Sequence, residues 1–168
     1  MAHDPDRELL RHYLASVAYH FQKAIRDAPS TYWRFSPGNQ VRTPEEILRH
    51  MSNVMGYAGT FFLGGVYRPE PPPTVDAAIN RFHELLEKLS TLLETNVPLQ
   101  GISEFQLLQG PLSDVMTHIG QLSLLRRLHG SPVPPENFVY ADISRDLLGK
   151  DQPDPRRPDK EWPEGPAV

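Results

Sequence analysis

The sequence predicts an all-α fold, a four-helix bundle in a single domain, from three observations. Four stretches place apolar residues three and four positions apart, which is the spacing of a helix with one buried face. No stretch has the alternating pattern of a half-buried strand. The length of 168 residues suits one core, and a hydrophobic content of 39% is sufficient if the apolar residues lie on those helix faces.

The first helix is predicted over residues 6–27. Asp4 and Asp6 are candidate N-cap residues, because a carboxylate oxygen can accept hydrogen bonds from the first free backbone N–H groups. Pro29 is expected to end the helix. The apolar face consists of Leu10, Tyr13, Leu14, Val17, Phe21, Ala24 and Ile25.

The second helix has the clearest start signal in the sequence. In Thr43-Pro44-Glu45-Glu46, Thr43 is the predicted N-cap, Pro44 occupies the first helical position, and Glu46 completes a capping box. The glycine pair at residues 64–65 is expected to end the helix. Its apolar face consists of Ile47, Met51, Val54, Ala58 and either Phe61 or Phe62.

The third helix is predicted over residues 75–95, after a linker at residues 64–73 that contains four prolines. An extended linker of this length reaches roughly 30 Å, about the length of a 20-residue helix. Helices two and three can therefore lie parallel, although a slack hairpin connection is equally compatible with the length. The apolar face of helix three consists of Ala78, Ile79, Phe82, Leu85, Leu86, Leu89, Leu92 and Leu93.

The fourth helix is predicted over residues 112–128, with Gly130 just beyond its end. Residues 103–109 are a candidate first segment, which would make Gly110-Pro111 a kink. The apolar face consists of Leu112, Val115, Ile119, Leu122, Leu125 and Leu128.

The C-terminal residues form a separate predicted unit. The bundle is assigned to residues 1–147 and a charged, proline-rich tail to residues 148–168. Residues 149–168 contain five of the eighteen prolines, which is typical of a frayed segment. Trp162 instead favours packing of part of this tail on the bundle.

Composition excludes several classes of function. The net charge of −4 argues against binding to nucleic acid, and the absence of cysteine excludes disulfides, thiolate ligands and a cysteine nucleophile. No apolar run approaches the roughly 18 residues of a membrane span, and the N-terminus does not resemble a signal peptide. We therefore expect a cytoplasmic protein without membrane contact.

Five of the seven histidines have ordinary structural explanations. His3 lies in the N-terminus, and His129 lies in a last helical turn, where a cation is favourable. We expect His12 and His83 to be exposed beside their apolar faces and His20 to be partly buried.

Three residues on the second and fourth helices form a candidate metal site. His50 and His118 each interrupt an inward apolar face, and Asp114 lies one turn before His118 on the same face. A single histidine of this kind is more often a hydrogen-bonded core residue, and Asp114 could simply occupy an exposed first turn. Together, however, they offer three nitrogen and oxygen donors, which suit zinc, nickel or iron.

Three protein ligands would leave a coordination position open for water or substrate. Gln121 and Asn53 each lie three residues after one of the histidines, so they are candidates to orient a ligand imidazole or to contact a bound water. Both positions are equally consistent with polar residues at the border of an apolar face. The sequence assigns no catalytic residue.

Two motifs resemble the DinB-like superfamily. His118-Ile119-Gly120-Gln121-Leu122, followed by an arginine-containing stretch and Gly130-Ser131-Pro132, is similar to its last helix. Thr43 to Met51 is similar to its other ligand helix. The resemblance covers roughly residues 5–147 and implies an up-down-down-up bundle whose metal has three ligands, usually three histidines. Asp114 departs from that pattern.

The implied topology also predicts an early start for the fourth helix. If helices two and four are antiparallel, His118 lies level with His50 only when residues 103–109 are helical and the helix bends at Gly110-Pro111.

The resemblance further implies a function. Relatives include thiol-dependent S-transferases and a maleylpyruvate isomerase, in which a metal is thought to activate a low-molecular-weight thiol. The first hypothesis is therefore a metal-dependent, thiol-using transferase that acts on a small molecule. The alternatives are a non-catalytic metal- or ligand-binding bundle and a structural domain with a metal-free polar core. By the same analogy we expect a homodimer.

Overall fold

The computed structural model describes residues 4–156, and the predicted all-α four-helix bundle is confirmed. The first three helices are α1 (Pro5–Ile25), α2 (Pro44–Leu63) and α3 (Val75–Glu94). The fourth consists of α4 (Glu104–Leu107), a π-helical turn (Leu108–Leu112) and α5 (Ser113–Leu128) without a break. Short 3₁₀ turns occupy Ser30–Arg34 and Phe138–Tyr140.

The ends of α1 follow local backbone chemistry. Of the two candidate caps, Asp4 is the N-cap, and its side chain accepts hydrogen bonds from the backbone N–H groups of Asp6 and Arg7. The helix ends at Ile25, before the predicted limit, because Arg26 leaves the helical conformation with ψ of 130°, and Asp27 then adopts a left-handed backbone with φ of 52°.

Both predicted ends of α2 are confirmed. The Thr43 hydroxyl accepts from the Glu46 backbone N–H at 3.3 Å, and the Glu46 carboxylate accepts from the Thr43 N–H at 2.8 Å. Gly64 follows the last residue with φ of 73°. Within α2, Gly56 lets the Tyr67 ring of the following linker pack against the helix, because a Cβ at this position would overlap that ring.

The fourth helix begins before Pro111, as the candidate first segment at residues 103–109 predicted. Ser103 and Gln106 form a second capping box at its start. Pro111 has no N–H to donate, and the helix accommodates it in the π-helical turn. The Ser113 hydroxyl donates to the Leu108 carbonyl oxygen at 2.7 Å, which satisfies one backbone acceptor of that turn.

The core takes apolar side chains from all four helices, but two expectations about burial are wrong. His83 is only 4% exposed, because the C-terminal segment covers it and its Nδ1 lies 2.6 Å from the Leu148 carbonyl oxygen. Leu128 is 56% exposed. Each step of three residues along a helix turns the side-chain direction by about 60° from the starting side. Three such steps lead from Ile119 to Leu128, so Leu128 lies on the opposite side of the helix.

Contacts between helix ends give the relative directions of neighbouring helices. Arg7 and Arg126 join the first and last turns of α1 to the start and end of the fourth helix, so these two helices run parallel. Arg11 bonds Ser90 near the end of α3, which makes α1 and α3 antiparallel. The Phe61 carbonyl oxygen accepts from the N–H at position 100, just before α4. The up-down-down-up order stays a prediction, and these contacts are compatible with it.

Part of the predicted tail lies against the bundle. Leu148 is 7% exposed and belongs to the core, and Gln22 on α1 donates to the Lys150 carbonyl oxygen at 2.6 Å. Arg26 pairs with Asp154 at 2.9 Å. Trp162 lies outside the described residues. Within residues 4–156, no helix combines the length and the apolar character that a membrane crossing requires.

Candidate metal centre

The first donor, His50, lies about two turns into α2. Its neighbours Ile47 and Met51 are buried in the core, whereas the His50 side chain is 34% exposed. The capping box at Thr43 fixes where the helix begins and therefore which direction His50 faces. His50 points along the boundary between α2 and the fourth helix, with its imidazole reaching solvent on one side.

The other two donors come from the first two turns of α5. Asp114 and His118 are four residues apart and project from the same helix face, as the sequence predicts. The His118 Nε2 lies 3.6 Å from the Asp114 Oδ1. The exposed fraction is 12% for the His118 side chain and 45% for Asp114, so the carboxylate faces outward above a mostly buried imidazole.

The structure brings all three side chains together. The His50 Nε2 lies 3.6 Å from the Asp114 Oδ2, so the carboxylate has one oxygen towards each imidazole. The two rings have centroids 4.6 Å apart and an interplanar angle of 81°. One donor atom from each residue lies within 4.8 Å of the other two.

This spacing fits a common ion. Two ligands at about 2.1 Å from a tetrahedral metal are themselves about 3.4 Å apart. Each Nε2 lies 3.6 Å from one carboxylate oxygen, His50 from the Oδ2 and His118 from the Oδ1, and one donor atom per residue lies within 4.8 Å of the other two, so small side-chain rotations bring all three into bonding reach of one ion. The donor set of two imidazoles and one carboxylate is also that of many catalytic zinc and iron sites.

The same distances disfavour a self-satisfied polar core. Both histidines lie within ion-pair distance of Asp114 at 3.6 Å, which is longer than the length of about 2.7 to 3.2 Å of a well-formed nitrogen-to-oxygen hydrogen bond.

Gln121 has the position expected of a residue that orients a ligand. Its Oε1 lies 3.1 Å from the Nδ1 of His118, so an amide oxygen acceptor at this position favours the tautomer with the proton on Nδ1. The lone pair is then on Nε2, the atom that faces Asp114 and His50.

Asn53 has a different environment. Its side chain is exposed and lines a cleft beside α2, and within residues 4–156 no hydrogen bond joins it to His50. An orienting role for Asn53 stays a prediction.

The electrostatic surroundings favour a neutral His50. Burial lowers the pKa of His50, and the nearby His118 and Arg42 lower it further, while Asp114 opposes them. Imidazole binds a metal only in its neutral form, so a lowered pKa keeps His50 in the ligand form at pH 7.

Two depressions open beside the three donors. One is a cleft of about 390 Å³ that His50 lines together with the linker between α2 and α3. The other is a broad groove of about 600 Å³ formed by Asp114, Tyr57, Thr117 and the π-helical turn around Pro111. A small molecule can therefore approach the donors from either side.

The other described histidines do not join this cluster. His12 is exposed, as expected, and His20 is partly buried, where its ring stacks on Phe138 with centroids 3.9 Å apart. His129 contacts Thr31 and Ser131.

Three arginines that line the cleft beside His50 were not predicted as site residues: Arg42, Arg49 and Arg81. Arg42 and Arg49 are seven residues apart around the start of α2, a spacing of two helical turns that could have linked them, whereas Arg81 comes from α3 and has no such local signal.

Comparisons with protein-family models, curated proteins and solved structures found no match to this chain. The fold and the site by themselves define the class of this protein. It is an all-α bundle with a His/Asp/His cluster between its second and fourth helices.

Proposed function

We propose that this protein binds one divalent transition metal through His50, Asp114 and His118 and presents it to a small external ligand. The observation that carries the proposal is the convergence of three donor atoms, from two helices distant in sequence, within 4.8 Å. Zinc, nickel and iron all accept this donor set. Three protein ligands leave coordination positions for that external molecule.

The reaction class that best suits this site is transfer through a bound thiol, as the resemblance to DinB-like proteins implies. A metal of this kind lowers the pKa of a coordinated thiol or water and so supplies a nucleophile at neutral pH. The protein's own contribution is positional: Gln121 holds the His118 ring, and the exposed Asp114 carboxylate borders the approach from solvent.

One observation favours the alternative of a non-catalytic metal- or ligand-binding bundle. The side chains beside the donors include Asn53 and Thr117, which carry no titratable group. These two side chains cannot act as a general acid or base for a reaction at the metal.

Metal analysis tests the binding proposal. The purified protein, loaded with zinc and passed through a desalting column, should retain about one equivalent, whereas His118→Ala should lose most of it because only two donors remain. His12→Ala is the matched control, since His12 is an exposed histidine on α1. Equal zinc content in wild type and His118→Ala would overturn the proposal.

A cobalt-substituted protein separates the thiol-binding function from metal binding alone. Addition of a small thiol should produce a sulfur-to-cobalt charge-transfer band, which water cannot give. If the metal binds but the band does not appear with any thiol, the alternative of a simple metal-binding bundle is favoured.

A further inference from the structure

The cleft beside His50 has three arginines in its lining. Arg42 precedes the N-cap of α2, Arg49 lies within α2 next to His50, and Arg81 reaches in from α3. The remaining wall is the proline-rich linker, including Pro71 and Pro72. The volume of about 390 Å³ is that of a small-molecule site.

Two of these arginines are not held in a short ion pair. Within residues 4–156, neither Arg42 nor Arg49 makes a hydrogen bond or an ion pair shorter than 4.0 Å, so their guanidinium N–H groups are available to a ligand. The capping hydrogen bonds lower the pKa of the Glu46 carboxylate, and both arginines lie close enough to lower it further. Arg81 donates to the Glu70 carbonyl oxygen at 2.6 Å, which fixes its position against the linker.

The acidic residues of the cleft do not neutralise it. The Glu46 carboxylate accepts the capping hydrogen bonds from Thr43 and is held at the start of α2. With Glu70 as the second carboxylate, three arginines and two glutamates leave one net positive charge along the lining.

The cleft adjoins the candidate metal centre at His50. His50 lines the cleft and also faces Asp114 at 3.6 Å, so a molecule that lies beside the arginines can extend to one of the three metal donors. Asp114 and His118 lie outside the cleft lining. Asn53 adds an amide to the same wall. The prolines stiffen the opposite wall, which lowers the entropy cost of forming the site.

We infer that this cleft binds the carboxylate group of the small molecule whose other end reaches the metal centre. That the molecule reaches a metal rests on the proposed function, whereas carboxylate binding in the cleft rests on the arginines alone. Planar guanidinium groups pair well with carboxylates. A single negative charge also matches the net charge of the lining better than a phosphate dianion does.

A pair of matched thiols tests this inference. The probes are 3-mercaptopropionate and 3-mercapto-1-propanol, which share a thiol and chain length but differ in the carboxylate. Binding is followed by NMR chemical-shift titration of the protein, metal-free and zinc-loaded, at low salt. We expect the wild-type protein to bind the acid about tenfold more tightly than the alcohol in both forms.

Arginine variants locate the effect. The double variant Arg42→Gln, Arg49→Gln should reduce the preference for the acid to less than about threefold, since the charged partners are lost. The control is Arg68→Gln, an exposed arginine of the same linker that does not line the cleft. The wild type and these variants all retain the three metal donors. Coordination of the thiol probe to zinc therefore affects them equally and cannot produce a difference between them.

Each result decides one point. Equal binding of the two thiols by the wild type, or a preference that survives in the double variant, overturns the inference. Tighter arginine-dependent binding of inorganic phosphate than of the acid overturns the carboxylate assignment. If the wild type retains no zinc, the proposed function fails, and the titration of the metal-free protein still decides whether the cleft recognises a carboxylate.

Discussion

Two polar clusters in this molecule differ in burial and in how closely their charged groups approach one another. In the buried cluster, the Glu136 side chain is 0% exposed, and the Tyr19 hydroxyl donates to its Oε1 at 2.5 Å. The Lys23 Nζ forms an ion pair with the Oε2 at 3.4 Å and donates to the Pro134 carbonyl oxygen at 2.7 Å, while the Oε2 accepts no hydrogen bond within residues 4–156. This cluster ties the segment after the fourth helix to α1.

The metal centre is the opposite case. Its carboxylate is 45% exposed, and both imidazoles stand 3.6 Å from it, beyond the length of a well-formed hydrogen bond. A closed cluster stabilises a fold because its charges are paired away from water, whereas an open, half-exposed one leaves donor atoms within reach of a molecule from solvent. Burial and close internal contacts, rather than residue type, therefore separate a structural polar cluster from a binding site.

The pKa values in the buried cluster follow the same logic. Burial raises the pKa of Tyr19, and its hydrogen bond to Glu136 raises it further. Burial also lowers the pKa of Lys23, while Glu136 opposes that change. Glu136 therefore favours the protonated form of both groups, the neutral hydroxyl of Tyr19 and the charged ammonium of Lys23.

The largest effect we expect is on the closed cluster. Glu136→Ala should lower the free energy of unfolding by about 3 to 5 kcal/mol, because it leaves the Lys23 ammonium buried without a counter-charge. Urea denaturation measures the change. Glu84→Ala, an exposed glutamate on α3, should change stability by less than about 0.5 kcal/mol. Similar losses in the two variants would remove the distinction between the clusters.

A smaller effect is expected at the open cluster, and only with metal. Zinc at a hundred times its dissociation constant should stabilise the wild type by about 2.7 kcal/mol. The same zinc concentration should have little effect on Asp114→Asn, which lacks the carboxylate that faces both imidazoles. Unfolding curves with zinc and with a chelator give both values.

Without metal, Asp114→Asn should be within about 0.5 kcal/mol of the wild type, because Asp114 is half exposed and makes no short contact to either histidine. A large loss in the metal-free variant would show that the open cluster is structural after all.

The smallest effect concerns pH and a single buried imidazole. Burial lowers the pKa of His83 below 6.5; Lys150 also lowers it, while the Leu148 hydrogen bond and Asp151 raise it. As the pH falls below 6.5, the unfolded chain takes up a proton that the folded protein does not. The contribution of His83 to the free energy of unfolding is therefore complete above pH 6.5. It declines as the pH falls below that value, by at most about 1.4 kcal/mol per pH unit.

The decline should be shallower in His83→Gln and unchanged in His12→Gln, whose histidine is exposed in the folded protein. Urea midpoints measured between pH 7.5 and 5 test this. Identical slopes for all three proteins would show that His83 does not contribute.

The sequence predicted most of the fold because its signals are local. The capping box at Thr43 and the glycine beyond α2 act within one helical turn, and the structure has both where the sequence indicates them. The early start of the fourth helix also has a local signal, the second capping box at Ser103. The prediction itself had another basis: His118 can lie level with His50 only if residues 103–109 are helical.

The candidate metal centre was predictable for the same reason. His118, Asp114 and Gln121 share one helix, so their relative positions follow from a period of 3.6 residues. His50 was found because it interrupts an apolar face.

What only the tertiary structure decided is which distant segments meet. The burial of His83 under Leu148, the pairing of Glu136 with α1 and the approach of Arg81 to Arg42 and Arg49 all join residues far apart in the chain. A helical period fixes the direction of a side chain on its own helix, but not what the rest of the chain places opposite it. Those contacts depend on helix packing and on the path of the connecting segments.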